Sequence, residues 1–174
     1  MNWPSCRRSV EAEPVEAERR DPVEATLPRL DLQLLTTTLD PLACLAAWQR
    51  QLADLPGGLP AAEAHFIGRV RGVSGQGLPL EALELEHYPA MAERRLQELA
   101  MVTAQEATAV LVRHRIGQLR PGDAIVLVAV AADRRGPAQR CGQALLEGLK
   151  HDVPFWKREW VNGVGTWVEG NTPL

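Results

Sequence analysis

The chain has 174 residues, 45% of them hydrophobic and 24% charged, with a formal net charge of −3. These values predict one globular domain whose core needs no metal or disulfide to hold it, and they exclude a general nucleic-acid binder held by a broad positive field. No apolar run is long enough to span a bilayer and no apolar leader opens the chain; with Cys6, Cys44 and Cys141 lacking metal-ligand spacing, the expectation is a cytoplasmic protein with reduced thiols and no metal.

Residues 1–28 read as a flexible charged tail. Val-Glu-Ala recurs at Val10, Val15 and Val23, with Pro14 and Pro22 between. Such a segment buries too little apolar area to order itself. The domain is expected over 29–174, with its folded part beginning near Leu30. Asp40-Pro41 is a helix start, with Asp40 as N-cap, and Leu42, Leu45, Trp48 or Gln49, Leu52 and Leu55 follow at near-helical spacing until Pro56-Gly57-Gly58. Ala64 to Arg71 reads as a strand, Gly72 to Pro79 as a glycine-bearing loop, and Leu83 and Leu85 as the buried side of a second strand.

Pro89 opens a second helix that turns Met91, Leu96, Leu99 and Ala100 to the core. Ala109 to Arg115 alternates as a strand, Arg120-Pro121-Gly122-Asp123 is a turn, and the valine-rich run Ala124 to Ala131 is a central strand. Pro137 opens a third helix carrying Ala138, Cys141, Leu145 and Leu149 inward, and Pro154 stops it. Trp156 to Val161, Asn162-Gly163 and Val164 to Val168 form a closing β-hairpin, its tryptophans Trp156, Trp160 and Trp167 read as hairpin core. Strands and helices mix without a regular βαβ repeat, which gives an α+β fold with a mainly antiparallel sheet.

The 19 basic residues comprise 17 arginines and two lysines, Lys150 and Lys157. A desolvated ammonium can lose its proton and act as a base, whereas a guanidinium effectively cannot. These lysines fall within a cationic interval that also holds Arg134, Arg135, Arg140 and Arg158. Guanidiniums beside a helix start suit an anion, so an anion pocket is expected there. The four histidines show no metal-binding spacing.

Four ordered motifs name a family. They are Phe66-Ile67-Gly68-Arg69-Val70-Arg71; Leu85-Glu86-His87-Tyr88-Pro89; His114-Arg115-Ile116-Gly117 with Pro121-Gly122-Asp123; and Leu149-Lys150 with Pro154-Phe155-Trp156-Lys157-Arg158-Glu159. From about residue 30 onward the chain resembles molybdopterin synthase large subunits. The resemblance implies an α/β hammerhead-type fold, a homodimer, and no cofactor. It also implies a small ubiquitin-like sulfur carrier whose C-terminal Gly-Gly thiocarboxylate enters the pocket. The implied substrate is cyclic pyranopterin monophosphate and the product is molybdopterin. Family positions that contact substrate match Arg69, Val70, Arg71, Arg134, Arg135, Lys150, Lys157, Arg158 and Glu159 here, with Lys150 and Lys157 as the catalytic pair.

The chain departs from the family's pattern at Arg134, which stands where a histidine is usual, and an arginine does not shuttle protons near neutral pH; Pro137-Ala138-Gln139 after it also lacks the aromatic residue common in relatives. The Arg134 departure favours a second reading, a non-catalytic scaffold subunit that keeps the fold and the carrier surface; the retained lysines disfavour it. The Pro154-Phe155-Trp156 turn is open to two readings, a flat wall for the carrier's tail or filler behind the hairpin.

Overall fold

The structure, a computed structural model, describes residues 27–168. All but the last two positions of the expected tail lie outside the described residues. The described residues form two four-stranded sheets and three helices. The first sheet runs β1 (Arg29–Leu35), β4 (Ala109–Arg115), β6 (Ala124–Ala132), β2 (Ala62–Arg69). The second runs β5 (Gly117–Leu119), β3 (Ala82–His87), β7 (Phe155–Val161), β8 (Val164–Trp167). Every pairing is antiparallel except β1 with β4, so the expected α+β architecture is the one found.

The unbroken apolar run of β6 follows from burial on both faces. Val128 and Val130, with Val110 and Val112 of β4, face α2 (Pro89–Thr103) and α3 (Arg135–His151). Leu127, Ala129 and Ala131, with Ala109 and Leu111, face α1 (Pro41–Ala53), which brings Leu45, Trp48 and Leu52. A strand covered on both sides has no polar face to show, hence its continuous hydrophobicity. Asp40 caps α1 as expected, its Oδ1 accepting from the Leu42 and Ala43 amides at 3.1 and 3.0 Å. Two glycines mark close approaches. A Cβ on Gly68 would sit 2.8 Å from Val126 Cγ1, and one on Gly148 would strike the Leu99 side chain where α3 crosses α2. Asn162 and Gly163 take φ of 51° and 73°, the left-handed pair that a two-residue hairpin turn requires.

Four local expectations are corrected. The stretch after residue 28 forms a strand, β1, that the sequence reading left unassigned; it is paired along β4 from Arg29↔Ala109 to Leu35↔Arg115. In α2 the inward line is Ala92, Leu96 and Ala100, and Met91 is 46% exposed; a helix turns 100° per residue, so one neighbour is buried at the other's expense. Helix α3 starts at Arg135, with Pro137 inside its first turn, where a missing amide hydrogen costs nothing. Its inward residues Ala138, Cys141, Leu145 and Leu149 are as expected. The hairpin tryptophans do not fill a core. Trp156 and Trp167 are exposed; Trp156 meets Tyr88 edge-on, and Trp160 Nε1 donates to Glu84.

Candidate active site

A cavity of about 540 Å³ opens where the first sheet, the C-terminal half of α3 and the second sheet meet. That size is typical of a small-molecule site. Its apolar walls come from Leu83 and Leu85 of β3, Val126 of β6, and Leu146 and Leu149 of α3. Its polar groups come from sequence-distant places: Arg69 and Arg71, His114, Glu147 and Lys150, and Lys157 and Glu159.

Local pairing explains how the first strand delivers its residues. Gly68 pairs with Val126 and Arg69 with Ala124, so Ile125 is an extra residue on β6. A bulge of this kind twists the strand. Beyond it the chain is held by the Arg120–Asp123 turn. The Val70 amide donates to Asp123 O at 2.9 Å and the Gly122 amide to Val70 O at 2.8 Å. Arg69 Nη1 donates to Gly122 O at 3.2 Å. Val70 is thereby buried at the base of the cavity, and Arg71 stands at its rim.

Strand alternation sorts the Lys157-Arg158-Glu159 run. Phe155, Lys157 and Glu159 line the cavity, and the residues between them point the other way. Glu159 works in two directions. Its Oε1 accepts from Arg71 Nη2 at 3.2 Å, and its Oε2 accepts from the Gly75 amide at 2.9 Å. One carboxylate thus ties the 72–79 loop and a cavity guanidinium to β7. Lys157 lies in a field that disfavours its charged form: burial first, then Lys150, then Arg71, all push its amine below the usual lysine range. Lys150 arrives from the last turn of α3, an end whose free carbonyls favour a cation.

His114, noted in the sequence only as part of a motif, forms part of the wall. Its ring lies flat on Phe155, with centroids 4.2 Å apart and planes within 4°. Its Nδ1 lies 2.8 Å from Arg115 O. A carbonyl only accepts, so Nδ1 carries the hydrogen. Burial, with Lys157 and His87 nearby, lowers its pKa to about 4, so the ring is neutral at neutral pH.

Three expected site residues stand apart from this cavity. Arg158 lies on the far face of β7, with Nη2 2.7 Å from Glu86 and its guanidinium 4.1 Å from the Trp167 ring centre. Arg134 and Arg135 occupy the N-terminal end of α3. At the α-helical rise of 1.5 Å per residue that is roughly 22 Å along the axis from Lys150. Within one chain, therefore, Arg134 and Arg135 do not share a pocket with Arg71, contrary to the expectation that they cluster. Lys150 comes from the opposite end of the same helix and Lys157 from β7, so closeness in sequence does not bring Arg134 and Arg135 to them within one chain. Of the Pro154-Phe155-Trp156 turn, Phe155 both lines the cavity and packs on the core, and Trp156 is turned outward.

Comparison with known proteins bears on the family and the fold. The family model described as MoaE protein matches residues 45–152. A molybdopterin synthase catalytic subunit from Ralstonia nicotianae is 41% identical over 123 residues, covering 68% of this chain and 69% of that protein. One from Escherichia coli is 42% identical over 106 residues, 60% of this chain and 70% of that protein. Among solved structures, a molybdopterin biosynthesis MoaE protein from Burkholderia ambifaria MC40-6 superposes with a TM-score of 0.65 at 31% identity, over 83% of this chain and 91% of the other. A molybdopterin synthase from Staphylococcus aureus gives 0.63 at 25% identity, over 82% and 97%. With the four motifs, the fold and a family model spanning most of the folded region in agreement, the chain belongs to the MoaE protein family.

Proposed function

We propose that this chain is the catalytic large subunit of a molybdopterin synthase, a sulfurtransferase. It converts cyclic pyranopterin monophosphate to molybdopterin, with sulfur from the C-terminal thiocarboxylate of a small ubiquitin-like carrier. The observation that carries this reading is the meeting of the chain's two lysines with Arg71 at one cavity.

The residues divide the work by their chemistry. Arg69 and Arg71 offer guanidiniums to the phosphate, for which a planar fork is well suited. Lys150 pairs with the incoming thiocarboxylate. Attack of that sulfur on a side-chain carbon of the substrate forms a C–S bond while a C–O bond at the same carbon breaks, its oxygen leaving on the opened cyclic phosphate or as water. Carrier and substrate are then joined through a thioester. Water cleaves the acyl–sulfur bond to release the carrier as a carboxylate, and a second carrier delivers the second sulfur. Lys157 is suited to deprotonate that water, since its surroundings favour the neutral amine. Glu159 keeps Arg71 and the 72–79 loop in place during these steps. No cysteine nucleophile enters, because the sulfur arrives on the partner.

A homodimer accommodates the remaining arginines. Arg134 and Arg135 of one copy can complete the anion site of the other, which a single chain does not allow. Arg158, held by Glu86 and Trp167, then supports the strand that presents Lys157. None of the described helices is long and apolar enough to cross a membrane.

The test is reconstitution. Purified protein is mixed with thiocarboxylated carrier and the pterin substrate, and dithiolene product is measured. Product is expected with the intact carrier and none with a carrier lacking its last two residues. Carrier binding without any product would favour the scaffold reading that Arg134 raised.

A further inference from the structure

The charged groups of the cavity account for an anionic ligand, but one polar atom in its wall has no such use. His114 is 9% exposed and belongs to β4 of the first sheet, on the wall shared with Phe155 and Lys157. Its ring is fixed twice, by the Nδ1 hydrogen bond to Arg115 O and by stacking on Phe155. A half-turn of the ring would lose the Arg115 bond, and any smaller rotation would also lose the stacking. Nε2 carries the lone pair and has no protein partner among the described residues. The two carboxylates lining the same cavity are already engaged: Glu159 by Arg71 and the Gly75 amide, Glu147 by the Gln143 side chain.

We propose that His114 Nε2 is a fixed hydrogen-bond acceptor for an N–H group at the edge of the heterocycle whose anion the cationic groups of the same cavity hold. An imidazole locked in this tautomer accepts at Nε2 and cannot donate there. A ring presenting an N–H to it is held; a ring presenting a carbonyl meets a lone pair and is disfavoured. The cavity thus reads two features of its ligand separately, negative charge by Arg71 and the lysines, and donor pattern by His114. This assignment rests on reading the cavity as the pterin site.

Two substitutions separate the role from mere support. In His114→Asn the amide reaches the Nδ1 position and can keep the Arg115 bond, but leaves no acceptor at Nε2. In His114→Gln the amide reaches the Nε2 position and restores one. Steady-state kinetics with saturating thiocarboxylated carrier should show KM for the pterin raised about five- to tenfold in the Asn variant, as expected for one lost hydrogen bond, with kcat little changed. The Gln variant should recover most of that loss. An unchanged KM in the Asn variant, or equal losses in both variants, would overturn the assignment. Should either variant fail to fold, the ¹⁵N resonance of Nε2 in the wild-type protein gives the answer. It moves on saturation with the pterin monophosphate if the bond forms, and a stationary resonance refutes it. Wild-type protein that turns over no pterin would instead remove the pterin reading itself, and this assignment with it.

Discussion

Acid should destabilise this protein through His114 in a way that can be calculated. Burial first, then Lys157 and His87 nearby, lower the pKa of the imidazole from 6.5 to about 4. The folded state therefore refuses a proton that the unfolded chain accepts. Its contribution to stability is whole above pH 6.5 and is lost as pH falls from there toward 4. The gap between the two values corresponds to about 3 kcal/mol, a large share of the ~5–15 kcal/mol that holds a domain together. The perturbation is His114→Phe, which keeps an aromatic ring on Phe155 and removes the titration. Urea unfolding followed by circular dichroism at several pH values between 7 and 4.5 reads the difference. Carboxylates contribute to both proteins alike, so the wild type should lose stability more steeply than the variant over this interval. Parallel pH dependences would refute the claim that a neutral buried imidazole is built into the fold.

Further predictions follow from single contacts. Gly148→Ala drives a methyl group into Leu99 between α2 and α3 and should cost about 1–3 kcal/mol by overpacking, read as a lowered urea midpoint. Because Lys150 lies two residues on, its activity should fall more than its stability alone explains. Asp40→Ala removes the acceptor for the Leu42 and Ala43 amides and should cost about 1 kcal/mol, seen as a fall in Tm of about 3 °C with turnover intact. Glu159→Ala frees the Gly75 amide, and hydrogen exchange at Gly75 should quicken about tenfold or more, as for loss of a bond to a charged acceptor; an unaltered rate would show that the 72–79 loop is held by other means.

The parts of the fold that were legible in the sequence are those where one physical rule acts alone. The Asp40-Pro41 cap, the Asn162-Gly163 turn and the inward line of α3 are local, and each came out where expected. The run in β6 was readable because burial on both faces removes polar residues altogether. Strand β1 carried a local signal that went unread, Leu30, Leu32 and Leu34 alternating with Arg29, Asp31 and Gln33; its parallel pairing with β4, 80 residues along the chain, has no local signal. Met91 and Ala92 differ in position by one residue, and no local signal at a helix start says which one the tertiary packing covers. At the site, the two lysines were legible as a compositional contrast, and the lysine pair does meet Arg71. Arg158 was grouped with its neighbours by sequence adjacency, whereas in a strand adjacency means opposite faces. Arg134 and Arg135 were grouped with Lys150 as one cationic interval and by the family resemblance, and within one chain they lie at the other end of α3. His114 carried no signal of its own, since its tautomer and stacking arise from β4 meeting β7 across the cavity.

The most direct test of the central claim is dithiolene formation by Lys157→Ala and Lys150→Ala, each assayed beside a binding measurement with the thiocarboxylated carrier. Each variant should still bind the carrier while product formation drops about 100-fold or more, the scale of lost acid–base and positioning assistance. Near wild-type product formation in either variant would contradict the account, because a cavity that works without one of its amines is not organised around the pair.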